Sequence, residues 1–241
     1  MQSSRRLISK ACHAFIFGLI LSSAMLFAGC KEKISSRDSD TGNDTASQPS
    51  IKKGVKPVAD AEVAVIETEN PAYGPIVIEL YSNIAPKMVE RFKQLAKEGF
   101  YNGTAFHRIN ASAGLIQGGD PLSKDNDPEN DGSGNSPYPN VPQEFSDLPY
   151  ERGTVGAARR DAGPGMSEQE GWNSANCQFF ITLQRQDTFD GLYTVFGRVI
   201  DGLNNVDVIA HAPVEAGTER PTSKIIIKNI TLQPRSKYPA K

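Results

Sequence analysis

The sequence predicts a mainly-β domain, an antiparallel barrel or sandwich capped by two α-helices. Three observations carry that prediction. Short runs of β-branched and aromatic residues recur from about 62 to 232, separated by Gly, Pro, Asn and Asp. Only two stretches, 86–97 and 203–210, change to a helical period. Strands and helices do not alternate, which argues against a parallel βαβ sheet.

The amino terminus stands apart from that domain. Arg5, Arg6 and Lys10 precede an apolar run over 14–28, shorter than the ~20 residues a spanning helix needs. Residues 1–29 therefore read as a signal peptide. Its end, Leu26-Phe27-Ala28-Gly29-Cys30, resembles a bacterial lipoprotein cleavage box, with Phe27 in place of the usual aliphatic residue. That resemblance implies a lipidated Cys30 and a membrane anchor at the cell envelope. From Cys30 to residue 59 the chain is polar and poor in apolar residues, so it reads as a flexible tether. A random coil of that length reaches about 25–35 Å. Residues 60–234 then form the folded domain, and 235–241 a tail.

Within the domain, residues 62–68 and 76–82 read as strands of a hairpin with a longer loop. Ile76, Ile78 and Leu80 alternate onto one buried face. In 86–97, Met88, Phe92, Leu95 and Ala96 share a helical face; Pro86 suits the first turn and Gly99 the stop. Residues 100–120 return to strands, and 121–142 form a long irregular loop of the kind tied to binding. A short strand follows at 153–159, then a polar loop, 160–176, with the single tryptophan, Trp172. Residues 177–183 and 193–199 are strong strand runs, 203–210 is the second helix, and the isoleucine-rich 224–232 closes the domain.

Composition excludes several chemistries. A net charge of −2 gives no footing for nucleic acid. Cys12 and Cys30 precede the domain, so Cys177 has no internal disulfide partner. There is no Gly-x-Ser-x-Gly elbow, His-Glu-x-x-His, phosphate-cradling glycine loop or Cys-x-x-Cys. Asp125, Asp127, Glu129 and Asp131 hint at a calcium loop, but the twelfth position from Asp127 is Tyr138 rather than Glu. No metal or other cofactor is expected. Cys177 leads into Phe179-Phe180-Ile181, where a buried, inert thiol is the expectation.

What remains is a set of donors and apolar surface without a base: Arg108, Gln117, Gln178, Phe106 and Phe180. A guanidinium does not give up its proton, so it is a poor acid or base. It suits polarising an amide in a dry pocket, and rotation about a peptide bond needs only that. Arg108 also reads as a structural arginine paired with a barrel carboxylate such as Glu144, and the glutamines as partners for backbone groups.

Four segments carry a family resemblance. Phe106-His107-Arg108-Ile109, Gln117-Gly118-Gly119-Asp120, Gln178-Phe179-Phe180-Ile181 and Asp190-Gly191-Leu192-Tyr193-Thr194-Val195-Phe196-Gly197 resemble, in order and approximate spacing, the successive signatures of the cyclophilins. The resemblance spans about 62–232. It implies a closed eight-stranded antiparallel barrel with a helix at each end. It also implies peptidyl-prolyl cis–trans isomerase activity on proline-containing polypeptides, without cofactor, by a chain expected to act as a monomer. By position Arg108 is then the catalytic arginine, with Gln117 steadying the rotating carbonyl. Phe106, Leu115, Ala158, Arg159, Gln178, Phe180, Phe189 and Tyr193 fall at substrate-binding positions, Phe106 having a core reading as well.

The departures sit in the pocket. One extra residue lies between Arg108 and Gln117, Gly114 stands where the family has an aromatic, and Tyr193 replaces a histidine. Thr188 occupies the place of a tryptophan that contacts cyclosporin, so weak inhibition by that drug is expected. The alternative to an active isomerase is a module that binds or scaffolds prolyl segments with little turnover.

Overall fold

The computed structural model describes residues 48–239. The signal segment, Cys30 and the first part of the tether lie outside the described residues.

The hairpin forms as expected: β2 (Glu62–Thr68) pairs antiparallel with β3 (Ile76–Leu80). After helix α1 (Pro86–Lys97) come β4 (Ala105–Asn110) and β5 (Leu115–Asp120). Past the long loop lie β7 (Thr154–Ala157), β8 (Phe179–Thr182), β9 (Val195–Asp201), helix α3 (Leu203–Ala210) and β10 (Ile225–Pro234). The eight strands β2, β3, β4, β5, β7, β8, β9 and β10 close a barrel in the order β10-β2-β3-β9-β7-β8-β5-β4. Every neighbouring pair is antiparallel. Closure removes the unpaired edges an open sheet would expose.

Inward-facing strand residues fill the barrel, among them Ile66, Ile78, Ile116, Val155, Phe179 and Phe196. Helix α1 adds Met88, Phe92, Leu95 and Ala96 to that core, the apolar face read from the sequence, and α3 adds Val206, Ile209 and Ala210. Phe92 lies 5.2 Å from Phe196 and 5.6 Å from Phe179, ring centroid to centroid. A third, short helix, α2 (Glu168–Trp172), sits in the loop expected to be irregular. Ser167 and Glu170 form a reciprocal capping box at its start, a Ser-x-x-Glu signature visible in the sequence.

The domain begins earlier than the expected boundary at residue 60. Strand β1 (Ile51–Lys52) pairs in parallel with β6 (Phe145–Ser146) outside the barrel. Lys52 Nζ donates to the Ile84 carbonyl (2.6 Å), Gly54 N–H to Asp147 (2.7 Å) and Val58 N–H to Asn83 (3.0 Å). The polar composition that suggested a tether conceals this docking, because backbone and lysine hydrogen bonds carry it rather than apolar side chains. The tail is also held at its start, where Arg235 pairs with Glu79 at 2.6 Å.

Candidate active site

A β-bulge decides which way the arginine points. Phe106 pairs with Gly118 and Arg108 with Gln117, so β4 advances two residues while β5 advances one. His107 is the extra residue. Strict alternation would send Phe106 and Arg108 to the same face; the bulge turns Arg108 out beside Gln117 while Phe106 stays inside. Beyond it, Ile109 pairs with Ile116, both in the core.

Outside the barrel wall the polar groups form a chain. Arg108 Nη1 donates to Gln117 Oε1 (3.2 Å), and Gln117 Nε2 to Gln178 Oε1 (3.0 Å). Gln178 Nε2 in turn donates to the carbonyls of Gly132 and Gly134, each at 2.9 Å. The 121–142 loop is thereby fixed as one wall of the site. The Arg108 side chain is 42% exposed, so its other N–H groups remain accessible to a substrate amide.

Beside this chain stands an aromatic wall. Phe179 and Ile181 point into the core, so Phe180 between them faces out, on the same side as Gln117, with which it pairs. Its ring lies 5.7 Å from Phe189 and 5.6 Å from Tyr193, and it stacks on the fully buried Tyr150 at 5.6 Å. Gly156 makes that stack possible. A Cβ there would come 2.4 Å from Phe180 Cζ and 2.6 Å from Tyr150 Oη. Leu115 is buried and shares the outward face of β5 with Gln117.

Gln117, Gln178, Ala158 and Arg159 line a cavity of about 60 Å³ together with residues 132–135 of the loop. Ala158 N–H still donates to the Gln178 carbonyl (3.0 Å) after β7 ends. The Arg159 guanidinium lies over the Tyr193 ring at 4.4 Å and donates to the Leu192 carbonyl at 3.0 Å. This arginine is committed to the wall.

Two sequence readings need correction. Phe106 does not line the site: it is 1% exposed and packs edge-on against Phe179 inside the barrel. Glu144 does not meet Arg108; it accepts the Lys87 and Met88 N–H groups (3.1 and 2.9 Å) at the start of α1. The carboxylate on Arg108 is that of Glu219, which takes its Nε–H. Glu219 and Tyr150 are site residues that sequence reasoning missed; neither belongs to a local motif. Gly114 has a backbone reason to be glycine, with φ of +64° at the end of the β4–β5 turn, where its carbonyl accepts from Leu183 N–H (2.8 Å). The turn absorbs the extra residue.

Neither Cys177 nor His107 is poised as a nucleophile or base. Burial pushes the Cys177 thiol up to about 12. Burial also holds His107 below the ordinary histidine range, against the opposing charge of Asp120. Tyr193 is shifted upward by burial and stays a neutral donor. The arrangement can orient and polarise an amide.

The family model described as "Cyclophilin type peptidyl-prolyl cis-trans isomerase/CLD" matches residues 63–232. The chain belongs to the cyclophilin-type isomerases. A Brucella suis protein named a probable peptidyl-prolyl cis-trans isomerase is 40% identical over 158 residues, 64% of this chain and 76% of its own length. Peptidyl-prolyl cis-trans isomerase-like 3 of Gallus gallus is 38% identical over 163 residues, 66% of this chain and 90% of its own. A Cryptosporidium parvum cyclophilin-type isomerase, solved in the presence of the dipeptide Ala-Pro, superposes with a TM-score of 0.60 at 29% identity. That match covers 71% of this chain and 98% of the other. This cyclophilin is therefore a peptidyl-prolyl cis–trans isomerase, and its closed barrel is the one its family resemblance implied.

Proposed function

We propose that this cyclophilin speeds X–Pro rotation by donating from the Arg108 guanidinium to the prolyl amide, with the proline ring held against Phe180 and Leu115. The observation that carries this reading is the linked set Arg108–Gln117–Gln178, set on the same outward face as Phe180. As the C–N bond loses resonance its nitrogen gains a lone pair, which an N–H donor stabilises in the twisted state more than in the planar one. Gln117 steadies the carbonyl.

The magnitudes set what one arginine can do. An uncatalysed X–Pro bond isomerises in tens to hundreds of seconds. Bringing that to milliseconds takes roughly 5.5–7 kcal/mol at 1.36 per decade, whereas one charged hydrogen bond contributes about 1.5–3 kcal/mol. Fixing the ring and carbonyl in the apolar, partly dry site supplies the remainder. Exchange of a proline-containing tetrapeptide measured by NMR tests the reading. Arg108→Ala should lower the catalysed rate at least tenfold while the protein stays folded, and an unchanged rate would overturn the arginine mechanism.

The substrates are proline-containing segments of exported proteins, met at a bacterial envelope to which Cys30 anchors the enzyme. The basic start, apolar run and cleavage-box resemblance support this location. A labelled lipid precursor should tag the wild-type protein and not Cys30→Ser; equal labelling, or none in either, would remove the anchor. Thr188 offers no indole N–H at the pocket rim, so cyclosporin should inhibit poorly, and submicromolar inhibition would contradict that expectation.

A further inference from the structure

Arg108 is gripped from a distant part of the chain, by a hairpin for which the amide chemistry gives no account. The Glu219 carboxylate takes the Nε–H of Arg108 on one oxygen and the side-chain amide of Asn110 on the other. Its backbone carbonyl accepts from Ile109 N–H at 2.7 Å. Three consecutive β4 residues are thus tied to one residue of the α3–β10 connection. That connection is itself built: Val214 and Pro221 form a bridge, with Glu215 N–H donating to the Arg220 carbonyl (2.9 Å) and Thr222 N–H to Pro213 (2.9 Å). Arg220 then clips the hairpin to the long loop through the Pro128 carbonyl (2.9 Å) and Glu129 (3.1 Å).

We propose that Glu219 is a positioning residue for the isomerase reaction, holding the Arg108 guanidinium in the plane from which it meets the prolyl amide; this rests on the arginine mechanism above. An arginine side chain has many rotamers, and ordering one at the moment of reaction costs entropy. With Nε held by Glu219 and Nη1 by Gln117, the plane of the fork is fixed before substrate arrives. The remaining N–H groups are then presented in one direction. The carboxylate has an opposite effect as well, since its charge offsets the cation's pull on the substrate. The two effects predict opposite signs on removal, and so the experiment separates them.

Glu219→Ala should lower kcat about tenfold and leave KM within twofold, and Glu219→Gln, which keeps one acceptor for Nε–H, should recover at least a third of the lost rate. In the Arg108→Ala background the same change should alter the residual exchange rate less than twofold. The Arg108 Nε–H proton should give a slowly exchanging NMR signal in the wild type and lose that protection in Glu219→Ala. This readout needs no turnover. A rate that rises in Glu219→Ala, a loss equal in both backgrounds, or an Nε–H signal indifferent to Glu219 would each overturn the proposal. Should Arg108→Ala itself retain full activity, the arginine mechanism fails, while the Nε–H signal still reports whether Glu219 holds the guanidinium.

Discussion

At the scale of single residues, the aromatic wall depends on an atom that is not there. Phe180 lies over β7 because Gly156 has no Cβ, and an alanine methyl would stand 2.4 Å from the ring. Neither ring can yield freely, since Tyr150 is fully buried beneath and Phe189 and Tyr193 flank it. Gly156→Ala should cost about 1–3 kcal/mol of stability from overpacking and lower kcat/KM for prolyl peptides. Kinetics unchanged within twofold would show that Phe180 does not hold the ring. His107 carries a pH signature. Burial holds its folded pKa below the unfolded value of about 6.5, so the unfolded chain binds more protons between those two values. Stability is then fully present above about pH 6.5 and falls as pH drops toward the depressed folded pKa, by up to about 1.4 kcal/mol per pH unit for one proton. Denaturant titrations of wild type and His107→Gln across that range should differ in slope. Parallel curves would assign the acid sensitivity to other groups.

At the scale of elements, α1 begins without a side-chain cap of its own, because Ala85 occupies the cap position. Glu144, 57 positions along the chain from Lys87, accepts the helix's first free N–H groups instead and faces the positive end of its dipole. Glu144→Ala should cost about 1–2 kcal/mol, with amide exchange at Lys87 and Met88 accelerating before the rest of the helix. Unaltered protection there would show that water satisfies the helix start. The β4 bulge acts at the same scale. One extra residue, His107, lets Phe106 lie in the core and Arg108 outside it although they stand two apart, which strict alternation would forbid.

At the scale of the molecule, the chain ahead of the barrel is part of the fold. Beyond the β1–β6 pairing, Asp147 N–H donates to the Lys52 carbonyl at 3.0 Å, and Ile51 reaches Gly191, two residues from both Phe189 and Tyr193. The described chain preceding the barrel therefore runs near the rim of the aromatic wall. Hydrogen exchange should find the Asp147 amide protected in the full chain and exposed after deletion of 48–55, with peptide turnover little changed. Loop-like exchange of Asp147 in the full chain would mean that β1 is not held.

The barrel strands, the two capping helices and the family were legible in the sequence, because each is written in local signals. Periods of two and 3.6 residues mark Ile76–Leu80 and Pro86–Lys97, and four contiguous motifs carry Arg108, Gln117, Gln178, Phe180 and Tyr193. That Phe106 faces inward while Arg108 faces out was legible only in three dimensions, since a bulge is a mismatch between two strands and neither strand alone records it. So was the pairing of Arg108 with Glu219, 111 positions away, rather than with Glu144. Contacts at such separations leave no period in the chain. Barrel closure brings them together, and it did so for the arginine on which the proposed mechanism rests.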